Sequence, residues 1–123
     1  MHRARLTGLF GVSPVIAAAV IGDVRHVSRF PDRDRFAAYN GTAPIEVSSG
    51  GRVAHRLSRR GNRKLNHALH MVAICQIRQR DSEGRAYFER KIAEGKTKRE
   101  ALRSLKRQIS NTVYRQLVLD SQR

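Results

Sequence analysis

A short stretch rich in serine and glycine concentrates the residues of this sequence that could do chemistry. It reads Ser48-Ser49-Gly50-Gly51-Arg52. Because glycine has no Cβ to hold a ligand away, such a loop can bring backbone amides and a serine oxygen close to a bound group. The positive charge that follows predicts that this group is an anion. The alternative, a hairpin turn that leads into a solvated basic helix, is also compatible with the residue types.

Positive charge dominates both the surroundings of this loop and the whole chain. Residues 48–80 contain eight Lys or Arg and no Asp or Glu. Over all 123 residues, 25 Lys and Arg stand against 10 Asp and Glu, which gives a formal net charge of +15. So large a surplus repels itself in a compact fold and predicts a polyanionic partner. Nucleic acid is favoured over an acidic membrane surface, because no amphipathic helix is followed by a long apolar anchor.

Several classes of protein are disfavoured by the sequence. No apolar run approaches the roughly 18 residues of a membrane span, and no signal-peptide pattern opens the chain. The single cysteine, Cys75, cannot form an internal disulfide, which fits a reducing cytoplasm. His67 and His70 share a helix face, but no Cys, Asp or Glu stands at ligand spacing, so we predict no metal site in this chain. These observations predict a cytoplasmic protein without membrane association.

The N-terminal residues 1–22 predict two short helices joined by a tight turn at Gly11. Ser13 is expected to cap the second helix, Pro14 to be its first residue, and Gly22 to end it. This element resembles the helix-hairpin-helix of DNA repair and recombination proteins, whose hairpin amides hold a backbone phosphate without reading sequence. The resemblance implies a phosphate contact at Gly11 and Ser13. The alternative is an ordinary helical corner whose apolar residues belong to the core.

The next helix is expected to begin after Asp32, its cap, and to end at Asn40 and Gly41. Asp32 lies at the positive end of this helix, so capping explains it better than metal binding does. Phe36 and Tyr39 have helical spacing, so we expect them in the core rather than exposed as platforms for base stacking.

The serine loop, residues 42–58, is expected either as an open loop or as a short hairpin. Ser58 is expected to cap a helix over residues 59–79, whose apolar stripe is wide enough for burial against more than one neighbour. Met71 and Cys75 belong to the widened part of that stripe.

The last two helices are predicted over residues 82–93 and from Thr97 to about residue 119. Thr97 and Glu100 form a capping box, in which each side chain satisfies an amide of the first turn. The outer face of the final helix is cationic, which usually means a solvated surface, but in so basic a chain we expect some of these charges to touch phosphate. The outer charges are Arg99, Arg103, Lys106 and Arg107. The basic helices thus span residues 59–121 of one small, mainly α domain.

Several short motifs follow one another with the order and spacing of a known family. They are Gly11-Val12-Ser13-Pro14, Phe30-Pro31, Tyr39-Asn40-Gly41-Thr42-Ala43-Pro44, Ser48-Ser49-Gly50-Gly51, Arg59-Arg60-Gly61-Asn62, Leu65-Asn66, Gly84-Arg85-Ala86-Tyr87, Glu94-Gly95-Lys96-Thr97 and Tyr114-Arg115. Each motif is weak, but together they are specific and cover nearly the whole chain. They resemble the C-terminal domain of bacterial insertion-sequence transposases of the IS110/IS116/IS902 family, in the branch sometimes set apart as one-triple-one.

The resemblance implies a serine nucleophile in the loop. The family's serine lies just before a glycine, so Ser49 is the matching position and Ser48 is the alternative. In such chemistry the hydroxyl attacks a DNA phosphodiester and forms a phosphoserine link that preserves the bond energy for rejoining. Together with the charge and the N-terminal element, the resemblance predicts a set of nucleic-acid-binding residues. They are Gly11, Ser13, Gly50, Gly51, Arg52, Arg56, Arg59, Arg60, Asn62, Arg63 and Lys64.

The resemblance also implies partners outside this chain. Family members join the serine domain to an N-terminal RuvC-like domain, whose four acidic residues bind divalent metal, expected to be Mg²⁺. They are similar to one another in using element-encoded guide RNA to choose donor and target DNA. We also expect a homo-oligomer, because two DNA ends must be held, and a place in the bacterial cytoplasm at the nucleoid.

The chain begins almost at the start of the C-terminal domain, and most of its ten acidic residues fall in helix caps or on exposed helix faces. We therefore expect a DNA-binding transposase domain that carries the nucleophile and needs a missing domain for catalysis. One alternative is a non-catalytic nucleic-acid-binding module of the helix-hairpin-helix type. Another is a fragment that does not fold alone, because a face made for the absent domain is exposed.

Overall fold

The structure, a computed structural model, describes residues 14–43 and 62–122. These ranges form five α-helices and one turn of 3₁₀-helix, and they contain no strand. The helices are α1 (Pro14–Val24), α2 (Arg33–Asn40), α3 (Arg63–Arg78), α4 (Glu83–Ala93) and α5 (Lys98–Ser121), with the 3₁₀ turn at Val27–Arg29. The mainly α class and the three C-terminal helices are therefore confirmed. The choice between loop and hairpin for the serine segment concerns residues outside the described ranges.

Helix α1 begins at Pro14, as expected from the fixed φ of proline, which suits a first helical position. It continues to Val24, past the end expected at Gly22. The reason is that Arg25, and not Gly22, takes the left-handed conformation that stops the helix, with φ of 60° and its amide donating to the Ile21 carbonyl at 2.9 Å. The first helix and the hairpin of the expected helix-hairpin-helix lie outside the described residues, so that element stays a prediction.

Helix α2 is bounded as its sequence predicts. The Asp32 carboxylate accepts a hydrogen bond from the Arg35 amide at 2.8 Å, and Gly41 closes the helix with a φ of 82°. Phe36 is fully buried and meets Phe30 edge to face, with 5.3 Å between ring centroids. The ring centroid of Tyr39 lies 5.1 Å from the ring centroid of Phe30. The prediction that these aromatic side chains belong to the core is confirmed.

Helix α3 begins at Arg63, four residues later than expected. Asn62 has extended backbone, and its side chain accepts from the Leu65 amide at 2.8 Å, so Asn62 caps the helix and the expected cap at Ser58 is wrong. The apolar stripe is also narrower than expected, because Met71 is 44% exposed and Cys75 is exposed. Its buried members are Leu65, Ala68, Leu69, Val72 and Ala73.

Helix α5 is the element on which most of the others pack. It contacts α2, α3, α4 and the 3₁₀ turn, while α1 packs against α3. Its buried line consists of Ala101, Leu105, Ile109, Val113 and Leu117. The predicted capping box is confirmed, with the Glu100 amide 3.1 Å from Thr97 Oγ1 and the Thr97 amide 2.9 Å from Glu100 Oε1.

The cationic outer face expected for α5 is only partly solvated, and the expectation that some of its charges touch phosphate stays a prediction. Arg107 forms an ion pair with Asp34 of α2, and Lys106 is half-buried. Both depart from the solvated face because α5 is covered by α2 on one side and by α3 on another. Arg99 and Arg103 remain exposed.

A close crossing of α3 and α4 depends on Gly84. A Cβ at this position would lie 2.0 Å from Gln76 Oε1 and 2.7 Å from Gln76 Cβ. The Arg85 guanidinium donates to the Ile77 carbonyl at 2.7 Å, which ties the same turn of α4 to the end of α3. Glycine is thus required at position 84 by the close approach of a neighbouring side chain.

We expect the substitution Gly84→Ala to lower the free energy of unfolding by about 1–3 kcal/mol, because the added methyl group displaces Gln76 from the helix crossing. The measurement is a urea or thermal denaturation curve. The matched control is Gly22→Ala within α1, where an added Cβ meets nothing within 4 Å. That change should raise stability by about 0.5–1 kcal/mol through helix propensity. Equal gains from both substitutions would contradict the packing account.

Candidate nucleic-acid interface

The two ends of the segment that carries the serines, residues 44–61, attach to one place in the fold. On the entering side, the amides of Thr42 and Ala43 donate to the Ala37 carbonyl at 2.9 and 3.2 Å. On the leaving side, the Asn62 amide donates to the Tyr39 carbonyl at 2.8 Å, and the Asn62 side chain donates to the Tyr39 hydroxyl at 3.2 Å. The segment therefore leaves and rejoins the fold at the last turn of α2.

A buried polar network fixes that turn against α5. The Asn40 side chain is fully buried, and its Nδ2 donates to Ser110 Oγ at 2.9 Å. Its Oδ1 accepts from the Thr42 amide at 3.1 Å and from the Thr42 hydroxyl at 2.6 Å. Asn66 of α3 donates to the Asn40 carbonyl at 2.8 Å. Because each polar end of the buried amide has a partner, the network fixes one arrangement of α2, α3 and α5.

A half-buried lysine lies next to this network. Lys106 Nζ donates to Asn66 Oδ1 at 3.2 Å. In the described part of the chain Lys106 has no carboxylate partner at ion-pair distance. Burial lowers the pKa of Lys106, because the ammonium loses hydration that no neighbouring negative charge replaces. The site thus holds a positive charge at a cost in solvation.

An open cavity of about 610 Å³ begins at the same place. Residues 41–43 form one wall, and side chains of α3, α4 and α5 form the others. We call this cavity the basic pocket, after its four cationic lining residues. They are Lys96, Arg103, Lys106 and Arg107.

The charge of the basic pocket is only partly compensated. Arg107 is paired with Asp34, which lies outside the lining. Glu100, the acidic lining residue, forms the capping box with Thr97, and hydrogen bonds to the Thr97 backbone and side chain hold the pKa of its carboxyl below the ordinary value. Lys96 and Arg103 lower that pKa further through their charge, although neither lies within ion-pair distance of a described carboxylate. The pocket therefore presents a net positive charge to a ligand.

A second cavity, of about 340 Å³, lies between α3, α4 and α5. Its lining includes the apolar side chains Val72, Leu105 and Ile109, with Glu83 and Arg90 of opposite charge. Because it collects no excess of one charge, it is a weaker candidate for binding a polyanion than the basic pocket.

Three of the predicted nucleic-acid-binding residues fall within the described ranges. Arg63 and Lys64 are exposed on the first turn of α3. The Asn62 side chain is engaged internally, in the helix cap and with Tyr39. The other predicted site residues lie outside the described ranges, so their roles stay predictions. They are Gly11, Ser13, Ser48, Ser49, Gly50, Gly51, Arg52, Arg56, Arg59 and Arg60.

The sequence alone did not single out Lys96, and it placed Arg103 and Lys106 on a general cationic face. Their convergence depends on the crossing of α5 with α3 and on the turn that precedes α5. The available signal was the spacing of cations three and four residues apart along α5, which places them on neighbouring positions of one helix face.

Two further observations concern the described ranges only. Among residues 14–43 and 62–122, no helix combines the length and apolarity needed to cross a bilayer. The same residues contain no group of three or more His, Cys, Asp or Glu side chains arranged to hold a metal ion.

Comparison with known proteins places the chain in a family. A sequence model described as "Transposase IS116/IS110/IS902 family" matches residues 3–89. Because the match covers more than half of the chain, the chain belongs to this family of transposases. The family expected from the motifs is thereby confirmed, and the narrower one-triple-one branch stays a prediction.

Curated relatives match most of this chain but only part of their own length. The Insertion element IS110 uncharacterized 43.6 kDa protein of Streptomyces coelicolor is 34% identical over 113 residues, which are 91% of this chain and 28% of that protein. The Insertion element IS900 uncharacterized 42 kDa protein of Mycobacterium paratuberculosis is 35% identical over 102 residues, 81% of this chain and 24% of that protein. The Insertion element IS116 uncharacterized 44.8 kDa protein of Streptomyces clavuligerus is 32% identical over 109 residues, which are 87% of this chain and 27% of that protein. The chain spans about a quarter of the length of these relatives.

The partly buried His70 of α3 makes stability depend on pH. Burial lowers the pKa of His70 below 6.5, and the charges of Lys106 and His67 lower it further. Between the lowered pKa and 6.5 the unfolded chain binds more protons than the folded chain, so stability falls as the pH drops through this window. We expect His70→Gln to reduce the loss of thermal stability between about pH 7.5 and about pH 5.

The control for this measurement is His26→Gln, a change of an exposed histidine beside the 3₁₀ turn. That change removes one imidazole from the surface, so the comparison of the two variants isolates the effect of the partly buried position of His70. If both substitutions flatten the pH profile equally, or if neither does, the environment assigned to His70 is wrong.

Proposed function

We propose that this chain is the DNA-binding C-terminal part of a transposase and contributes a serine nucleophile to DNA strand cleavage and rejoining. Family membership and the net charge of +15 support the proposal. The observation that carries it is that both ends of the serine-bearing segment are held at the last turn of α2, beside the basic pocket. This arrangement brings the attachment points of a hydroxyl-containing segment and an anion-binding surface to the same end of the fold.

The proposed nucleophile is Ser49, with Ser48 as the alternative. The serine oxygen attacks the phosphorus of a DNA phosphodiester, a new phosphorus–oxygen bond forms, and the bond to one deoxyribose oxygen breaks. The hydroxyl proton passes to a base, and the released deoxyribose oxygen takes up a proton. The phosphoserine link keeps one phosphoester bond for a later attack by a second DNA end, so rejoining needs no external energy source.

Catalysis in this proposal needs residues that the described part of the chain does not supply. Its carboxylates form no metal-binding cluster, and the chain spans about a quarter of its relatives. We assign the base and a divalent metal, Mg²⁺, to an N-terminal RuvC-like domain. The metal would stabilise the charge that develops on the attacked phosphate. A guide RNA, a homo-oligomeric complex and action on nucleoid DNA in the cytoplasm complete the proposal.

A second candidate function is non-catalytic binding of nucleic acid. It is favoured by the exposed Arg63 and Lys64 and by the basic pocket, which could neutralise phosphates without any nucleophile. This module would leave DNA non-covalently bound and would not depend on either serine.

We expect a covalent protein–DNA adduct when the chain is combined with the RuvC-like domain, Mg²⁺, guide RNA and matching DNA. Denaturing electrophoresis with end-labelled DNA detects the adduct, and mass spectrometry of the tryptic peptide identifies the modified residue. Ser49→Ala should abolish the adduct, whereas Ser48→Ala should retain it.

Each pattern in this experiment decides between the alternatives. An adduct that survives Ser49→Ala and disappears in Ser48→Ala moves the nucleophile by one position. Formation in both single variants and in the double variant would sink the serine proposal. If the serine variants bind duplex DNA as tightly as the unaltered chain does, and no adduct forms under any condition, the non-catalytic module remains as the function.

A further inference from the structure

We infer that the basic pocket holds a DNA backbone phosphate close to the bond attacked by the serine, through Lys96, Arg103 and Lys106. The inference rests on the proposed function for its choice of DNA and deepens it by assigning the residues that fix the strand. None of these three residues belongs to the loop or to the start of α3. The sequence predicted that some outer charges of the last helix touch phosphate, but it did not single out Lys96 or distinguish Arg103 and Lys106 from the rest of that face.

The unpaired charges of the pocket are the first argument. Lys96 and Arg103 are exposed at its edge, and Lys106 is half-buried within it. None of the three has a carboxylate at ion-pair distance in the part of the chain that the structure describes. Arginine offers a planar fork of donors suited to two phosphate oxygens, and lysine adds a point charge. Glu100 in the lining offsets part of the charge of Lys96 and Arg103, and an anionic ligand supplies the remaining countercharge.

The buried position of Lys106 is the second argument. An ammonium without a carboxylate partner loses hydration free energy when it is half-buried. The hydrogen bond from Lys106 to the neutral Asn66 does not fully replace that lost hydration. The hydrogen bond to Asn66 joins α5 to α3, but this neutral partner supplies no negative charge. A bound phosphate would recover the lost electrostatic free energy at this position.

The shape of the pocket is the third argument, and it favours a polymer over a free anion. About 610 Å³ of open space is more than one phosphate group fills, so the neighbouring sugar and the continuing strand have room to enter and leave. The Thr42 and Ser104 side chains in the lining add neutral polar groups beside the cations. A strand that crosses the open cavity uses all of these features.

Chain length relates the pocket to the reaction. Ala43 lines the pocket, and Ser49 follows it by six residues. Even a fully extended chain of that length spans at most about 20 Å, so the nucleophile cannot lie far from the pocket. At a rise of about 3.4 Å per nucleotide, the held phosphate and the attacked bond are within about six nucleotides of each other. The pocket therefore holds the DNA near the bond that the serine attacks.

The test compares two double variants, each of which removes the charge of one lysine and one arginine from the same part of the chain. The pocket variant is Lys96→Gln with Arg103→Gln, and the control is Lys98→Gln with Arg99→Gln. All four side chains are exposed, and the two control residues do not line the pocket. Fluorescence anisotropy with a DNA duplex of about 20 base pairs measures affinity across a salt titration. We expect the pocket variant to reduce the salt slope by about two and the control to leave it unchanged, because each phosphate contact contributes about one.

Lys106→Met supplies a second readout that a purely structural role would not give. Replacing the half-buried ammonium by an apolar side chain of similar length should keep or raise the thermal midpoint while weakening DNA binding by about tenfold. A variant that loses binding only together with its thermal midpoint would contradict a direct phosphate contact by Lys106.

The outcomes separate this inference from the proposed function. Equal losses of affinity in the pocket and control variants would overturn it, as would a loss confined to an RNA duplex of the same sequence. Normal binding and normal adduct formation by the pocket variant would overturn the pocket and leave the nucleophile standing. A pocket-specific loss of DNA affinity without any serine adduct would support the pocket and count against the catalytic role of Ser49.

Discussion

The side chain of Asn40 makes the interaction on which the rest of this structure depends. It is fully buried, and it links the end of α2 to Ser110 of α5 and to Thr42 at the entrance of the serine-bearing segment. Its carbonyl meanwhile accepts from Asn66 of α3. An unpaired amide here would cost about 1–3 kcal/mol, so this set of partners favours one arrangement of three helices. The asparagine network therefore fixes where the segment begins, and Asn62 fixes where it ends.

The same region carries an opposing electrostatic cost. The chain has 25 Lys and Arg against 10 Asp and Glu, so its fold holds like charges close together. Some of that repulsion is relieved locally, as in the Arg107–Asp34 ion pair. Lys106 is not relieved in this way, and its ammonium is half-buried beside the neutral Asn66. The fold thus concentrates uncompensated charge where the polar network holds the ends of the serine-bearing segment, which links its stability to its proposed ligand.

Sequence reasoning predicted the features that depend on near neighbours. The caps at Asp32 and Thr97 follow from hydrogen bonds between residues three positions apart, so local patterns were enough. The start of α3 was missed because both Ser58 and Asn62 are good caps, and only the tertiary contact of Asn62 with Tyr39 distinguishes them. The Asn40–Ser110 hydrogen bond joins residues 70 positions apart. No periodic pattern encodes such a pair, so the network and the basic pocket required the structure.

The central claim is that one end of this fold brings together the serine-bearing segment and a strand-holding pocket. Photocrosslinking in the complete nucleoprotein complex tests it most directly, with a photoreactive amino acid at Ser104 in the pocket lining. The crosslinked nucleotide is then mapped relative to the nucleotide carried by the proposed Ser49 adduct. The account predicts a separation of no more than about six nucleotides on the same strand. A crosslink to a distant part of the DNA, or to RNA alone, would contradict it.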